Sequence, residues 1–255
     1  MTQRPQKPPS SEEKAGASSR LVLGMQPVRE AIRVHQAAVE EVWVQQGDQP
    51  RWDALARFAR DQGIQAVRRL PRSALDRRSK GARHQGVLAL APPLKLHDLD
   101  DVALTGGPLV LLDGVTDPQN FGAVIRGAVA LGAAAVVFGE HHAAPLSPAT
   151  FRASAGAVEH ATLVQVASLR QAVQSLGDRG VATVALDANA DQELPELDLT
   201  GPCAVVVGAE DTGVGKGVRR ACSHRARLPM EPVLDSLNAS VAAALSLYEI
   251  RRQRL

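Results

Sequence analysis

Five short runs, "LVLLDG", "AAVVF", "ATLVQV", "VATVALD" and "CAVVVG", constrain the chain between residues 109 and 208 more than any other feature. Most are apolar at every position rather than at every second one. A strand apolar on both faces must be covered on both faces, as happens in parallel sheets flanked by helices. Helical segments fall between the runs: "SLRQAVQSL" separates the third from the fourth. Asp117 followed by Pro118 is a good N-cap and N1 pair for a helix after the first. Residues 108–255 therefore read as one α/β domain. It closes on a helix, "NASVAAALSLYEIRRQ", where Leu237, Val241, Leu245 and Tyr248 recur at helical spacing and are expected to face the core.

The front of the chain alternates too, but with polar strands. Within residues 20–92, "PVREAIRVH", "RWDALARFARDQ" and "RSALDRR" read as helices, and "EEVWVQ", "IQAVRRL" and "GVLALA" as strands. This is a second, smaller α/β module. Residues 93–107, rich in Pro, Gly and acids, read as a linker. Residues 1–19 lack the apolar core of a secretory signal and read as a disordered tail. No stretch is long enough to span a membrane. The two cysteines, Cys203 and Cys222, show no metal or redox spacing, which fits a reducing cytoplasm. The seven histidines show no metal-ligand spacing either.

Net charge is only +2, but it is unevenly spread. Residues 51–83 hold ten Lys or Arg against three acids, a local excess of seven. Such a field suits a polyanion like nucleic acid, with Arg68, Arg69, Arg72, Arg77, Arg78, Lys80 and Arg83 as candidate contacts. The alternative is an ordinary solvated surface. Aromatic residues make up 3% of the chain, which counts against a base-stacking sheet.

Residues 208–217, "GAEDTGVGKG", have the strand-loop-helix layout of a phosphate-binding loop. With Gly215-Lys216 aligned to the G-K of G-x-x-x-x-G-K-[ST], the first glycine position falls on Glu210 and the Ser/Thr position on Gly217. A carboxylate in an anion cradle is repulsive, and the metal-binding hydroxyl is missing, so a nucleotide loop is rejected. Three other features remain. Arg126 is the only charge in residues 118–139. It sits beside the apolar stripe Phe121, Ile125 and Ala128, with Gly122 and Ala130 one turn away. It is either a partly desolvated cation needing an anionic partner or an arginine that snorkels to solvent. Glu210 follows a buried strand at its carboxyl end, where open α/β sheets place ligand crevices; otherwise it is a surface turn residue. In "DSLNASVA" (235–242), Ser236 and Asn238 are either helix caps or ligand contacts.

Taken together, "DGVTDPQNFGAVIR", "VVVGAEDTGVG" with "LPM", and "SLNASVA" resemble the three motifs of the SpoU (TrmH) family of RNA ribose 2′-O-methyltransferases, within the SPOUT superfamily. The branch most resembled methylates a guanosine of 23S rRNA. The front module is similar to that family's substrate-binding domain, of L30e-like fold. The resemblance covers about residues 20–252. It implies a C-terminal trefoil-knot domain that binds S-adenosylmethionine through Gly208, Leu228, Met230 and Leu237. It implies a site built from Arg126, Asn120, Glu210, Ser236 and Asn238, with no metal. It further implies a cytoplasmic homodimer acting on RNA, with tRNA as the alternative substrate. A non-catalytic RNA-binding module is the rival reading. "GVGKGVRR" is richer in glycine than the family pattern.

Overall fold

The computed structural model describes residues 19–231, 233 and 236–255. The tail expected over 1–19 lies outside the described residues except for Ser19, as does Asp235 of the third motif.

Two sheets form. The first holds β1 (Arg20–Leu23), β2 (Glu41–Gln45), β3 (Val67–Leu70) and β4 (Val87–Ala91) in the order β1-β4-β2-β3. β4 runs antiparallel to both neighbours, and β3 pairs parallel to β2 at the edge. Helices α1 (Met25–His35) and α2 (Pro50–Asp61) cover one face over a core that includes Val28, Ile32, Val42, Val44, Trp52 and Leu55. α3 (Arg72–Arg78) covers the other through Leu75 against Trp43 and Leu88.

The second sheet has seven strands, all parallel, in the order β11-β9-β10-β6-β7-β8-β5. β6 (Leu109–Asp113), β7 (Ala135–Gly139), β8 (Leu163–Val166), β9 (Ala182–Leu186) and β10 (Cys203–Gly208) are the apolar runs read from the sequence. Burial is continuous along the central strands β6, β7 and β10 until their last residue, as two-sided covering requires. The outer strands are β11 (His224–Ala226) and the two-residue β5 (Leu96–His97). β5 lies within the stretch read as a linker, and nearby Val102 is buried. That stretch is therefore partly built into the second sheet.

Helices α4 (Pro118–Leu131), α5 (Pro148–Ala153), α6 (Leu169–Asp178), α7 (Lys216–Ala221) and α8 (Ala239–Gln253) complete this half. Asp117 caps α4 as expected, accepting from the amides of Gln119 (3.1 Å) and Asn120 (3.2 Å). Gly132 ends it in the left-handed region at φ 78°.

One expectation is overturned. Val241, Leu245 and Tyr248 of α8 are 44%, 45% and 60% exposed, and Leu237 lies ahead of the helix, half-buried. The buried face is instead Ala239, Ala243, Ser246, Leu247 and Ile250. α8 has apolar residues on two arcs. The arc rich in small side chains lets it approach α4 closely, with Ala244 opposite Gly127. Periodicity finds such arcs but does not choose between them.

Candidate active site at the carboxyl edge of the seven-stranded sheet

Strand order reverses between β6 and β10. From β6 the chain runs outward through β7 and β8, then crosses to the far side for β9 before returning as β10. Diverging connections at such a point leave a crevice at the carboxyl ends of the two strands. Asp113 and Gly208 pair in register at that edge.

The loop after Gly208 folds back over it. A Cβ on Gly208 would lie 2.0 Å from the carbonyl carbon of Gly213 and 2.2 Å from the Val214 nitrogen, so no side chain fits there. The Gly213 amide donates to the Ala209 carbonyl at 2.8 Å, with Gly213 at φ 62°. The Gly215 amide donates to Asp113 Oδ2 at 2.8 Å, tying the loop to the end of β6. Lys216 opens α7 and points to solvent rather than into a phosphate cradle. The glycines thus build a folded wall.

Three polar side chains from distant segments converge beside it. Asn120 Nδ2 donates to Glu210 Oε1 at 3.1 Å. Asn238 Nδ2 donates to Asn120 Oδ1 at 2.8 Å and also to Glu210 Oε1. The other end of Asn238 caps α8, its Oδ1 accepting from the amides of Ser240 (2.9 Å) and Val241 (3.3 Å). The cap reading of Asn238 therefore holds, and its Nδ2 remains available to bond Asn120 and Glu210. Capping fixes the side chain, so its Nδ2 is aimed before any ligand arrives.

A cavity of about 370 Å³ opens behind this network, lined by Gly208, Glu210, Leu228, Met230, Ser236 and Leu237 among others. These are the expected cofactor residues with two of the expected polar ones. A second cavity of about 280 Å³ adjoins it, lined by Thr116, Asn120 and Asp211 and sharing Glu210 as a wall.

Sequence reasoning missed Asp187, which also lines the larger cavity. Its side chain is 8% exposed and pairs with Arg219 and Arg225, both at 2.9 Å. Burial alone would raise this carboxyl. The Asn189 amide, Arg225 and Arg219 outweigh it and hold the group below its usual range. The signal was its position at the carboxyl end of "VATVALD", the same crevice rule that singled out Glu210. Among the described residues no cluster of three or more His, Cys, Asp or Glu could hold a metal ion.

Arg126 is not brought to this network. It is exposed, and no carboxylate or hydrogen-bond partner reaches it among the described residues. Within one chain the partly desolvated setting read from the sequence is absent. Gly122 admits backbone rather than ligand: a Cβ there would meet Thr150 O at 2.6 Å and Ala153 Cβ at 2.5 Å.

The seven basic candidates of the front module are all exposed. Arg68 pairs with Glu41 at 2.7 Å, Arg69 with Asp53, and Arg72 with Asp76 at 3.8 Å. Arg77, Arg78, Lys80 and Arg83 have no carboxylate partner among the described residues. Arg78 lies 5.1 Å from the Trp43 ring. His84 fixes the turn that carries them. It accepts from the Gly86 amide through Nδ1 at 3.0 Å, so its proton sits on Nε2, which donates to Asp76 at 2.9 Å.

The family model "SpoU rRNA Methylase family" matches residues 107–248, and "RNA 2'-O ribose methyltransferase substrate binding" matches residues 21–97. An uncharacterized tRNA/rRNA methyltransferase of Mycobacterium sp. (strain KMS) is 39% identical, over 92% of this chain and 76% of that protein. The 23S rRNA (guanosine-2'-O-)-methyltransferase of Photobacterium profundum is 37% identical, over 93% of this chain and 99% of that protein. The crystal structure of the SpoU methyltransferase AviRb from Streptomyces viridochromogenes with AdoMet superposes with a TM-score of 0.77. It is 26% identical, over 96% of this chain and 94% of that one.

Proposed function

The chain belongs to the SpoU rRNA methylase family, and on that premise we propose that the ribose it methylates is that of a guanosine in 23S rRNA. The activity itself is S-adenosylmethionine-dependent RNA ribose 2′-O-methylation. The observation that carries the site assignment is the convergence of Asn120, Glu210 and Asn238 beside the larger cavity.

That cavity suits the cofactor. Its volume is within the usual range for small-molecule sites. Leu228 and Leu237 supply apolar walls, while Gly208, Met230, Ser236 and the backbone of the folded loop complete them. When bound, S-adenosylmethionine supplies an activated methyl on a sulfonium. The protein's tasks are to hold the ribose hydroxyl in line and to accept or relay its proton. Asn120 and Asn238 are fixed by each other and by Glu210, so they orient a ribose without reorganising. Ser236 adds a hydroxyl at the cavity wall. Arg126 is an orienting cation for the hydroxyl and the adjoining phosphate. A planar, delocalised guanidinium suits bidentate orientation better than proton abstraction.

The active unit is a homodimer on the same reading. Arg126 has no partner among the described residues, and the Val241, Leu245 and Tyr248 arc of α8 lies exposed. A two-fold interface over this face would cover the arc twice and give Arg126 groups from the partner subunit. Arg77, Arg78, Lys80 and Arg83 supply RNA attraction from the front unit, about residues 20–92. A cytoplasmic setting accords with the free cysteines Cys203 and Cys222. No helix among the described residues is long and apolar enough to cross a membrane. The C-terminal unit, residues 108–255, would carry the trefoil knot of the superfamily.

Mass-spectrometric mapping of ribose methylation in rRNA and tRNA, from cells with and without the protein, tests the substrate. Loss of one methylguanosine from 23S rRNA is the expected result. Loss confined to tRNA would overturn it.

A further inference from the structure

The front unit is seated on the methyltransferase unit by a surface built for one orientation. α1 meets the turn after α5 at Gly156, where φ is 86°. A Cβ there would lie 2.8 Å from Glu30 Cβ and 3.0 Å from Pro27 Cα. The preceding Ala155 also has a positive φ, 51°, a conformation that costs a non-glycine residue energy. The turn is thus held in a conformation that lets α1 lie flush.

Carboxylates cross this junction in both directions. Glu159, whose side chain has no solvent exposure, receives Arg20 of β1 and His35 of α1, the latter at 2.9 Å. Glu30 of α1 receives His160 at 3.0 Å, together with its neighbours Arg33 and Gln26 at 2.9 Å. Each unit therefore offers a buried carboxylate to a histidine of the other. Arg20 also lies 5.2 Å from the Phe151 ring and donates to the Pro92 carbonyl at 2.7 Å. Arg20 Nη1 and Glu159 Oε1 are buried with no hydrogen-bond partner among the described residues. Buried ion pairs are weak devices for stability, because desolvation offsets their attraction. Their strength is directional: few orientations satisfy them.

The same segment leans on the helix that carries Arg126. α5 presses on α4 at Gly122, one turn before Arg126. Residues 148–160 are thus wedged between α1 and α4.

We propose that Glu159 and Glu30 are positioning residues for methyl transfer. They hold the front unit in one register against the α4 helix, so that RNA bound on the basic face presents its ribose to Asn120 and Asn238. The inference rests on the proposed roles of the two units.

The test uses the full-length protein, labelled S-adenosylmethionine and a 23S rRNA transcript. Glu159→Gln removes the charge at nearly constant volume, and Gly156→Ala forces the surfaces apart by an unrelated route. Both should raise KM for RNA at least fivefold and increase the radius of gyration in X-ray scattering. Both should leave kcat and cofactor affinity within twofold of the parent. Unchanged KM and scattering in both variants would overturn the proposal. So would a parallel loss of cofactor binding and kcat, which would place the role inside the methyltransferase unit. If the parent does not methylate the transcript, the substrate reading fails by itself. Scattering then decides: expansion of both variants supports the docking role, and unchanged dimensions refute it.

Discussion

The crevice between β6 and β10 and the basic segment from Arg68 to Arg83 are built on opposite electrostatic plans. In the crevice, polar groups satisfy one another before any ligand binds. Asn120, Glu210 and Asn238 are mutually bonded, and Asp187 is held by two arginines. In the basic segment four cations face solvent without a carboxylate partner among the described residues. A small cofactor and a single ribose need fixed geometry. A long polyanion needs a field, which tolerates mobile side chains and weakens with salt. Cofactor binding and RNA binding should therefore be separable by mutation. Arg126 is the exception that belongs to neither region in one chain.

The sharpest break comes at Arg126. Arg126→Ala should lower methyl transfer by roughly a thousandfold, as for removal of one preorganised charge donor. S-adenosylmethionine affinity, read by calorimetry, should stay within a few fold. Arg126→Lys should fail as well, since a point charge does not reproduce the planar fork. Substantial turnover by the lysine variant would refute the geometric role.

Replacing Arg77, Arg78, Lys80 and Arg83 together by alanine should come next. RNA affinity at low salt should fall, and the log–log salt slope should drop by roughly 0.7 to 0.9 for each phosphate that is no longer neutralised. Cofactor binding should not change. An unaltered slope would mean the RNA lies on another face.

Asn238 allows its two duties to be divided. Asn238→Asp keeps the capping oxygen but loses the Nδ2 donor and sets a second carboxylate against Glu210. Activity should fall about tenfold or more, with the melting temperature little changed. Asn238→Ala should lose activity and also about 1 kcal/mol of stability with the cap. Equal melting temperatures for the two variants would show that the cap contributes nothing.

Asp187 should act on stability alone, with little change in turnover. Asp187→Asn should cost about 1.5 kcal/mol, since it weakens hydrogen bonds to charged groups that are partly solvated. The folded pKa lies below the ordinary carboxylate value, so this contribution is complete above about pH 4. It is lost as pH falls through the depressed value. Thermal melts of parent and variant should therefore converge only in acid. Convergence at neutral pH would show that its pairs with Arg219 and Arg225 add nothing to stability.

Much of the fold was legible locally. Continuous apolar runs specified buried parallel strands, and Asp117-Pro118 specified where α4 starts. The place of Glu210 at the crevice was legible because ligand crevices open at the carboxyl ends of such strands. Asp187 obeyed the same rule and went unnoticed. α8 went wrong because both of its arcs are apolar, and only packing against α4 decided which one is covered. Local spacing determines what each segment prefers to be, since torsions, caps and amphipathic faces are set by near neighbours. Tertiary structure alone decided which ends meet. Asn120 and Glu210 are 90 residues apart, and Asn120 and Asn238 are 118 apart. Glu159 finds Arg20 across 139 residues. Those pairings follow from strand order and from two units packing face to face, and periodicity within any one segment carries no information about either.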